Sequence, residues 1–309
     1  MTLAPRTALI NPTQVITQDL YDRFISYIDA KPKTVKTYTT SLKQFFNWTA
    51  EHNIRQPQFT DIKQYRDDLI SSGKKATTLY AYIFVVRLFF QWTDAEGIYP
   101  NVAGKIKGAS IPQEPKKEAL TRYQAKELIH SIDNTTIKGK RDKAIIALML
   151  TCGLRDIEVI RANVSDIDTT SGQPRLYVQG KGKDDKGDYV KLPEGTLAII
   201  REYLDSRCES TDILFTSEAN RNYGERLTTT SISRICKEAM RNIGIDNPRY
   251  TAHSFRHTSI TISLIENNRD IQATKQFARH SNINTTLIYA HNLDKQDNNC
   301  SNLIANCIL

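Results

Sequence analysis

The stretch AHSFRHTSITISLIENNRDIQATKQFARHSNINTTLIYAH, residues 252–291, decides how the chain is read. Its apolar spacing predicts helices over Ala252–Asn267 and Ile271–His280. His253 and Arg256 stand at i and i+3 and share one helix face. His257 is adjacent and is expected to point elsewhere, as a structural residue. His280 follows, and Tyr289 comes nine positions later in Asn284-Thr285-Thr286-Leu287-Ile288-Tyr289. A guanidinium fork can hold a phosphate, an imidazole can accept a proton near neutral pH, and a phenol can become covalently attached. A lone histidine, or a tyrosine in an apolar stripe, is ordinarily a packing residue. The chemical reading therefore depends on what the rest of the chain supplies.

Upstream, Asp142–Cys152 reads as an apolar helix that Gly153 ends. The next helix begins at once with Leu154-Arg155-Asp156-Ile157-Glu158, which puts Arg155 near a helix N-terminus. Paired with Arg256, it could hold both non-bridging oxygens of one phosphate and stabilise the charge of a pentacoordinate phosphorus. Glu158 is expected to pair with or cap near Arg155, and Asp166 to do similar work in the following turn. Leu176-Tyr177-Val178 and Tyr189-Val190-Lys191-Leu192 read as strands of a hairpin, with Gly180, Gly182 and Gly187 between them. Lys181, Lys183 and Lys186 share that turn, either as a solvated charged tip or as a phosphate contact and proton donor. Thr121 with Gln124 resembles a capping box, and further helices are expected over Thr196–Ser206 and Thr228–Ile243.

The first third reads as helices. Ile16, Leu20, Phe24 and Ile28 recur at helical spacing, and Lys31-Pro32 breaks that helix. Thr34, Thr60 and Thr77 or Thr78 are expected to open three more, with Ser72-Gly73 ending the third. Phe45-Phe46-Asn47-Trp48-Thr49 is echoed by Phe89-Phe90-Gln91-Trp92-Thr93, and Thr34, Tyr38 and Ile54 match Thr78, Tyr82 and Ile98 at the same offset. Two core helices with similar packing needs explain the echo more simply than a duplicated clamp, so the Phe and Trp rings are assigned to the core. Lys33, Lys36 and Lys43, with Lys75 and Arg87, flank the second and fourth helices and are candidate phosphate contacts. Gly104–Glu118 has glycine, prolines, lysines such as Lys107 and no apolar period, and reads as a basic linker.

Length allows two domains: 12–106 and 119–291, joined by 107–118 and followed by a tail at 292–309. The net charge of +8 and pI near 9.1 fit either a polyanionic partner or a soluble surface. Five cysteines without a Cys-x-x-Cys pair argue against a disulfide scaffold or structural zinc and fit a reducing cytoplasm. The N-terminus does not read as a secretory signal, and no apolar run reaches about 18 residues, so no membrane partner is expected. No Asp/Glu metal cluster stands out. Neither metal nor other cofactor is expected, since two arginines could replace a divalent ion.

The ordered set Arg155, Lys181, His253-x-x-Arg256, His280 and Tyr289 resembles the tyrosine recombinases, or phage-integrase family, over most of the chain. The resemblance implies a mostly α fold with a small β-sheet: an all-α SAM-like core-binding domain plus an α+β catalytic domain, forming a C-shaped clamp on DNA. It implies Tyr289 as nucleophile, Arg155 and Arg256 as phosphate ligands and Lys181 as proton donor to the leaving 5′ oxygen. It also implies His253 as a phosphate contact and proton acceptor, and His280 as a hydrogen-bond donor to phosphate. Family members usually carry glycine just before this histidine, where Arg279 stands here. The implied partners are double-stranded DNA with inverted-repeat core sites and three further copies of the chain on two duplexes. The implied place is the cytoplasm, at the nucleoid.

Leu303, Ile304, Cys307 and Ile308 could form one apolar helix face, for docking on a neighbouring subunit or folding back on its own domain. Only a short segment precedes the first helix, so a simple member without an arm-binding domain is expected. Whether it serves a phage, transposon, plasmid or chromosome is left open. Lys183 and Arg234 are further candidate DNA contacts, the latter on a helix rich in Thr and Ser. The alternatives are a type IB topoisomerase-like nicking-closing enzyme, a catalytically silent DNA-binding regulator and a helical adaptor.

Overall fold

The structure, a computed structural model, describes residues 15–108, 117–170, 172–180, 182–208 and 210–308. The chain forms two compact units that divide at residues 112 and 113, within the basic linker segment.

The first unit holds α1 (Gln18–Tyr27), α2 (Pro32–Glu51), α3 (Phe59–Ser71) and α4 (Ala76–Ala95). The starts of α2, α3 and α4 differ from expectation because the threonines are not the caps. Pro32 occupies the first turn of α2 behind Lys31, where its missing N–H is no loss. Gln58 and Asp61 cap α3, and Lys75 precedes α4. Phe24, Phe45, Tyr65, Phe89 and Phe90 are fully buried, and Trp48, Trp92 and the partly buried Phe46 pack with them, so the Phe and Trp rings of the echoed segments are core as expected.

The echo between α2 and α4 extends to the backbone. Thr49 Oγ1 donates to Phe46 O at 2.9 Å, and Thr93 Oγ1 to Phe90 O at 3.1 Å. Ile54 N–H closes on Thr49 O, and Ile98 N–H on Thr93 O, each at 2.8 Å. Asn53 (φ 56°) and Gly97 (φ 66°) take the left-handed position between, so both helices end in the same Schellman turn. The two Phe pairs pack crosswise, Phe45 on Phe90 at 5.9 Å and Phe46 on Phe89 at 5.5 Å.

The second unit is built around α6 (Ile137–Cys152), which packs against α8 (Glu194–Ser206) and α10 (Ala252–Glu266). α6 begins at Ile137, five residues upstream of the predicted start, and Thr136 caps it. Arg141 and Asp142, both buried, satisfy one another at 2.6 Å inside that helix. α5 (Arg122–Ser131) opens with the predicted Thr121–Gln124 capping box. A three-stranded antiparallel sheet has the order β1 (Ile167–Asp168), β2 (Arg175–Val178), β3 (Asp188–Lys191), with Leu176 opposite both Ile167 and Val190. β2 and β3 are the predicted hairpin; the two-residue β1 gave too short a pattern to be read. α7 (Asp156–Arg161), α9 (Thr229–Asn242), α11 (Ile271–Ala278), α12 (Asn284–Asp297) and α13 (Cys300–Ile308) complete the unit. α12 continues without a break past residue 291, so the polar start of the tail is helix in phase with Tyr289.

Candidate active site

Three helix ends and two helix faces meet around Arg256. Gly153 closes α6 in a left-handed turn (φ 61°), where a Cβ would come within 3.2 Å of the Phe277 ring and 3.3 Å of Ser259 Oγ. That turn frees the Gly153 carbonyl and starts α7 three residues later, at Asp156. Arg256 projects from α10 and is 2 % exposed. Its Nη1 donates to Gly153 O and its Nη2 to Ala278 O. It thus ties α10 to the ends of α6 and α11, and three of its five N–H donors remain. Burial, then Arg155 and Arg279, lower its pKa to about 9, which leaves it cationic at neutral pH.

Arg155 is the N-cap residue of α7, where free N–H groups favour an anion. Its Nη1 donates to Glu158 Oε1 and its backbone N–H to Glu158 Oε2, both at 2.8 Å, so Glu158 pairs and caps as expected. Burial pushes the Glu158 carboxyl up. Arg279, Arg155 and Arg256 outweigh burial and hold it below the usual carboxylate range.

On α10, His253 and His257 are one turn apart with ring centroids 4.5 Å apart, and the His257 ring lies 5.1 Å from that of Tyr289. His257 therefore does not point away from the site: i and i+4 face the same side as i and i+3. Its Nδ1 is buried without a hydrogen-bond partner among the described residues. Burial, His253, Arg256 and His280 lower its pKa to about 4. His253 keeps an exposed edge, yet desolvation by the surrounding protein, then Arg256, lower its pKa too.

His280 follows the left-handed Arg279 that ends α11. Its Nδ1 lies 2.9 Å from Thr286 Oγ1, which fixes the ring with Nε2 free of that contact. Its pKa is lowered to about 4 by burial and by Arg256, Arg155 and Arg279. Tyr289, one helical turn after Thr286 on α12, is 8 % exposed, with its ring 6.3 Å from that of His280. Burial raises the phenol to about 12 against the pull of Arg256 and Arg155. Tyr289 is thus held protonated beside neutral imidazoles and buried cations.

The structure brings together five of the six residues the sequence singled out: Arg155, His253, Arg256, His280 and Tyr289. Lys181 lies outside the described residues. Its turn-mates are engaged, Lys183 Nζ with Asp188 at 2.7 Å and Lys186 Nζ with Asp166 at 2.5 Å. Asp166 also caps Asn163 N–H, as its expected supporting role implies. Lys33, Lys36, Lys43, Lys75, Arg87, Lys107, Lys183 and Arg234 are all exposed; Arg234 pairs with Glu238 at 3.2 Å. Sequence reading missed the partner roles of Thr286 and Arg279. The signals were present: Thr286 stands at i−3 from Tyr289, and Arg279 stands in a helix-ending position that favours glycine. Among the described residues no group of His, Cys, Asp and Glu side chains could hold a metal ion, and no helix is long and apolar enough to cross a membrane.

Residues 118–296 match the phage integrase family, and residues 19–97 match the phage integrase N-terminal SAM-like domain. This chain belongs to the phage integrase family, the tyrosine recombinases. It is 28% identical over 274 residues to the tyrosine recombinase XerA of Thermococcus kodakarensis, covering 88% of this chain and 90% of the relative. The fold is similar to that of the XerH site-specific recombinase bound to a palindromic difH substrate in a post-cleavage complex. That likeness has a TM-score of 0.73 at 17% identity and covers 93% of this chain and 90% of the other. A lambda integrase tetramer bound to a Holliday junction has the same fold, with a TM-score of 0.67 at 18% identity over 88% and 75% of the two chains.

Proposed function

We propose that this chain is a site-specific DNA recombinase that cuts and rejoins strands through a 3′-phosphotyrosyl intermediate. The observation that carries the reading is the meeting of Tyr289 with Arg155, Arg256 and the histidines in a pocket whose charge is dominated by arginine. Arg155 and Arg256 hold the non-bridging oxygens of the scissile phosphate and stabilise its added charge, as fixed donors do. The Tyr289 oxygen attacks phosphorus, and its proton passes to His253, with His257 the imidazole between the two rings. The bond from phosphorus to the 5′ oxygen breaks, and Lys181 supplies the proton to that oxygen. His280, held by Thr286, donates to the phosphate. Attack by the freed 5′ hydroxyl of another strand reverses each step, so the bond energy is conserved and ATP is not needed.

The finer parts of the reading are DNA with inverted-repeat core sites, a homotetramer on two duplexes, a mobile element as the setting, and a cytoplasmic, nucleoid-associated place of work. Assembly is supported by α13, where Leu303, Ile304 and Ile308 are exposed and none is buried on its own unit. A groove of about 830 Å³ beside Tyr289, lined by Ile262, Ile265 and Leu293 with Arg122, Arg249 and Lys295 among the charged residues around them, offers a neighbour's α13 a seat with apolar side chains inside a charged rim. Lys33, Lys36 and Lys43 share one face of α2 and, with Lys75, Arg87, Lys107, Lys183 and Arg234, supply contacts to the sugar-phosphate backbone.

The test is covalent capture on sheared DNA of the native locus, followed by denaturation and sequencing of what stays attached. Wild-type protein is expected to carry defined 3′ ends, and Tyr289→Phe none while still binding DNA. Binding without attachment in the wild type would instead indicate a catalytically silent regulator.

A further inference from the structure

Arg279 stands where the backbone turns left-handed, at φ 52° and ψ 47°, directly after α11. Glycine adopts that conformation freely, whereas a residue with a Cβ is disfavoured there. The side chain adds a second penalty. It is 9 % exposed, and its Nε is buried with no hydrogen-bond partner among the described residues. Stability alone does not favour a buried, incompletely bonded guanidinium at a glycine-like turn. Such local conflicts concentrate at functional sites.

The gain is made at Glu158. Arg279 Nη2 donates to Glu158 Oε2 at 2.7 Å, and Nη1 to Phe277 O at 3.2 Å. The 1 %-exposed carboxylate is therefore shared, with Arg155 on Oε1 and Arg279 on Oε2. With Arg155 as its sole close cation, the buried carboxylate would neutralise that guanidinium and draw it away from a phosphate. Two guanidinium groups against one carboxylate leave a net positive charge and hold the carboxylate from both sides. The same residue immediately precedes His280, whose N–H closes on Lys275 O at 3.1 Å.

We propose that Arg279 is a positioning residue: through Glu158 it aims Arg155 at the scissile phosphate and leaves the Arg155–Glu158–Arg279 cluster with a net positive charge, while fixing the turn that presents His280. This inference rests on the strand-cleaving reading above and deepens it.

The experiment compares wild type, Arg279→Gly, Arg279→Lys, Glu158→Gln and the Arg279→Gly/Glu158→Gln double variant. The probe is a nicked duplex carrying the captured sequence, which traps the covalent product. Attachment rate, non-covalent affinity for the same duplex and thermal midpoint are measured for each. Arg279→Gly is expected to stay folded, bind within about threefold of wild type and attach at least tenfold more slowly. Arg279→Lys recovers part of the rate, because an ammonium can still balance Glu158. The double variant attaches faster than Arg279→Gly alone, since the uncharged amide that replaces the carboxylate no longer neutralises Arg155; a merely structural loss would give the opposite order. A wild-type rate in Arg279→Gly, or a double variant no faster than Arg279→Gly alone, overturns the proposal. A wild type without Tyr289-dependent attachment overturns the functional reading and this proposal with it.

Discussion

His257 illustrates how much a single side chain's environment decides. Its imidazole packs between the rings of His253 and Tyr289, with Arg256 and His280 acting on it as well. An unfolded histidine titrates near 6.5, and this one near 4. Between those values the unfolded chain binds a proton that the folded chain refuses. The stability contribution is therefore complete above about pH 6.5 and is lost as pH falls toward 4. His280 acts in the same direction over the same window. The thermal midpoint should drop on acidification across it, and His257→Phe, which keeps an aromatic ring but cannot titrate, should drop less; calorimetry at stepped pH reads the difference. An equal drop in both proteins would remove His257 from the account. At this scale the chemistry of Arg155, His253, Arg256, His280 and Tyr289 was legible because residue type and order carry it. The misreading of His257 came from treating neighbours in sequence as opposite on a helix. The Arg279–Glu158 pair joins residues 121 positions apart, a contact that no local pattern announces.

At the scale of elements, helix starts were the least legible feature, because Lys31, Gln58 and Lys75 stand where Ser, Thr, Asp or Asn is usual. Helix ends were clearer, since Gly73 and Gly153, read as ends, both adopt positive φ there. The shared Schellman turns of α2 and α4 make the repeat a matter of backbone as well as of core aromatics, while the Phe rings remain packing residues. α13 is the element whose role is least explained by its own unit. Leu303 and Ile304 are 59% and 58% exposed, so Leu303→Asp with Ile304→Asp should change monomer stability by no more than about 0.5 kcal/mol per site. If α13 seats on a neighbour, the same pair should abolish tetramers on DNA in analytical ultracentrifugation while leaving single-protomer binding intact. Unfolding of the monomer by this pair would mean instead that α13 packs on its own unit.

For the whole molecule the relevant facts are two separate cores and an excess of eight positive charges over 309 residues. Each unit buries its own apolar set, around Phe45 and Phe89 in the first and around α6 in the second. Each should therefore fold when produced alone, as residues 15–108 and 117–309. Electrostatic binding to duplex DNA weakens with salt at about 0.9 log units per phosphate neutralised for each log unit of salt. If Lys33, Lys36, Lys43, Lys75 and Arg87 contact phosphates, their contacts add to those of the catalytic unit, and the slope of the full chain must be steeper than that of either piece. The linker should also convert the second contact into an intramolecular one, so affinity should rise by about a hundredfold or more over the better piece at the same salt. Fluorescence anisotropy on one duplex across a salt series measures both quantities. A full-chain slope equal to that of residues 117–309 would mean that the first unit's lysines serve solubility, and that grip on the duplex resides in the unit that carries Tyr289.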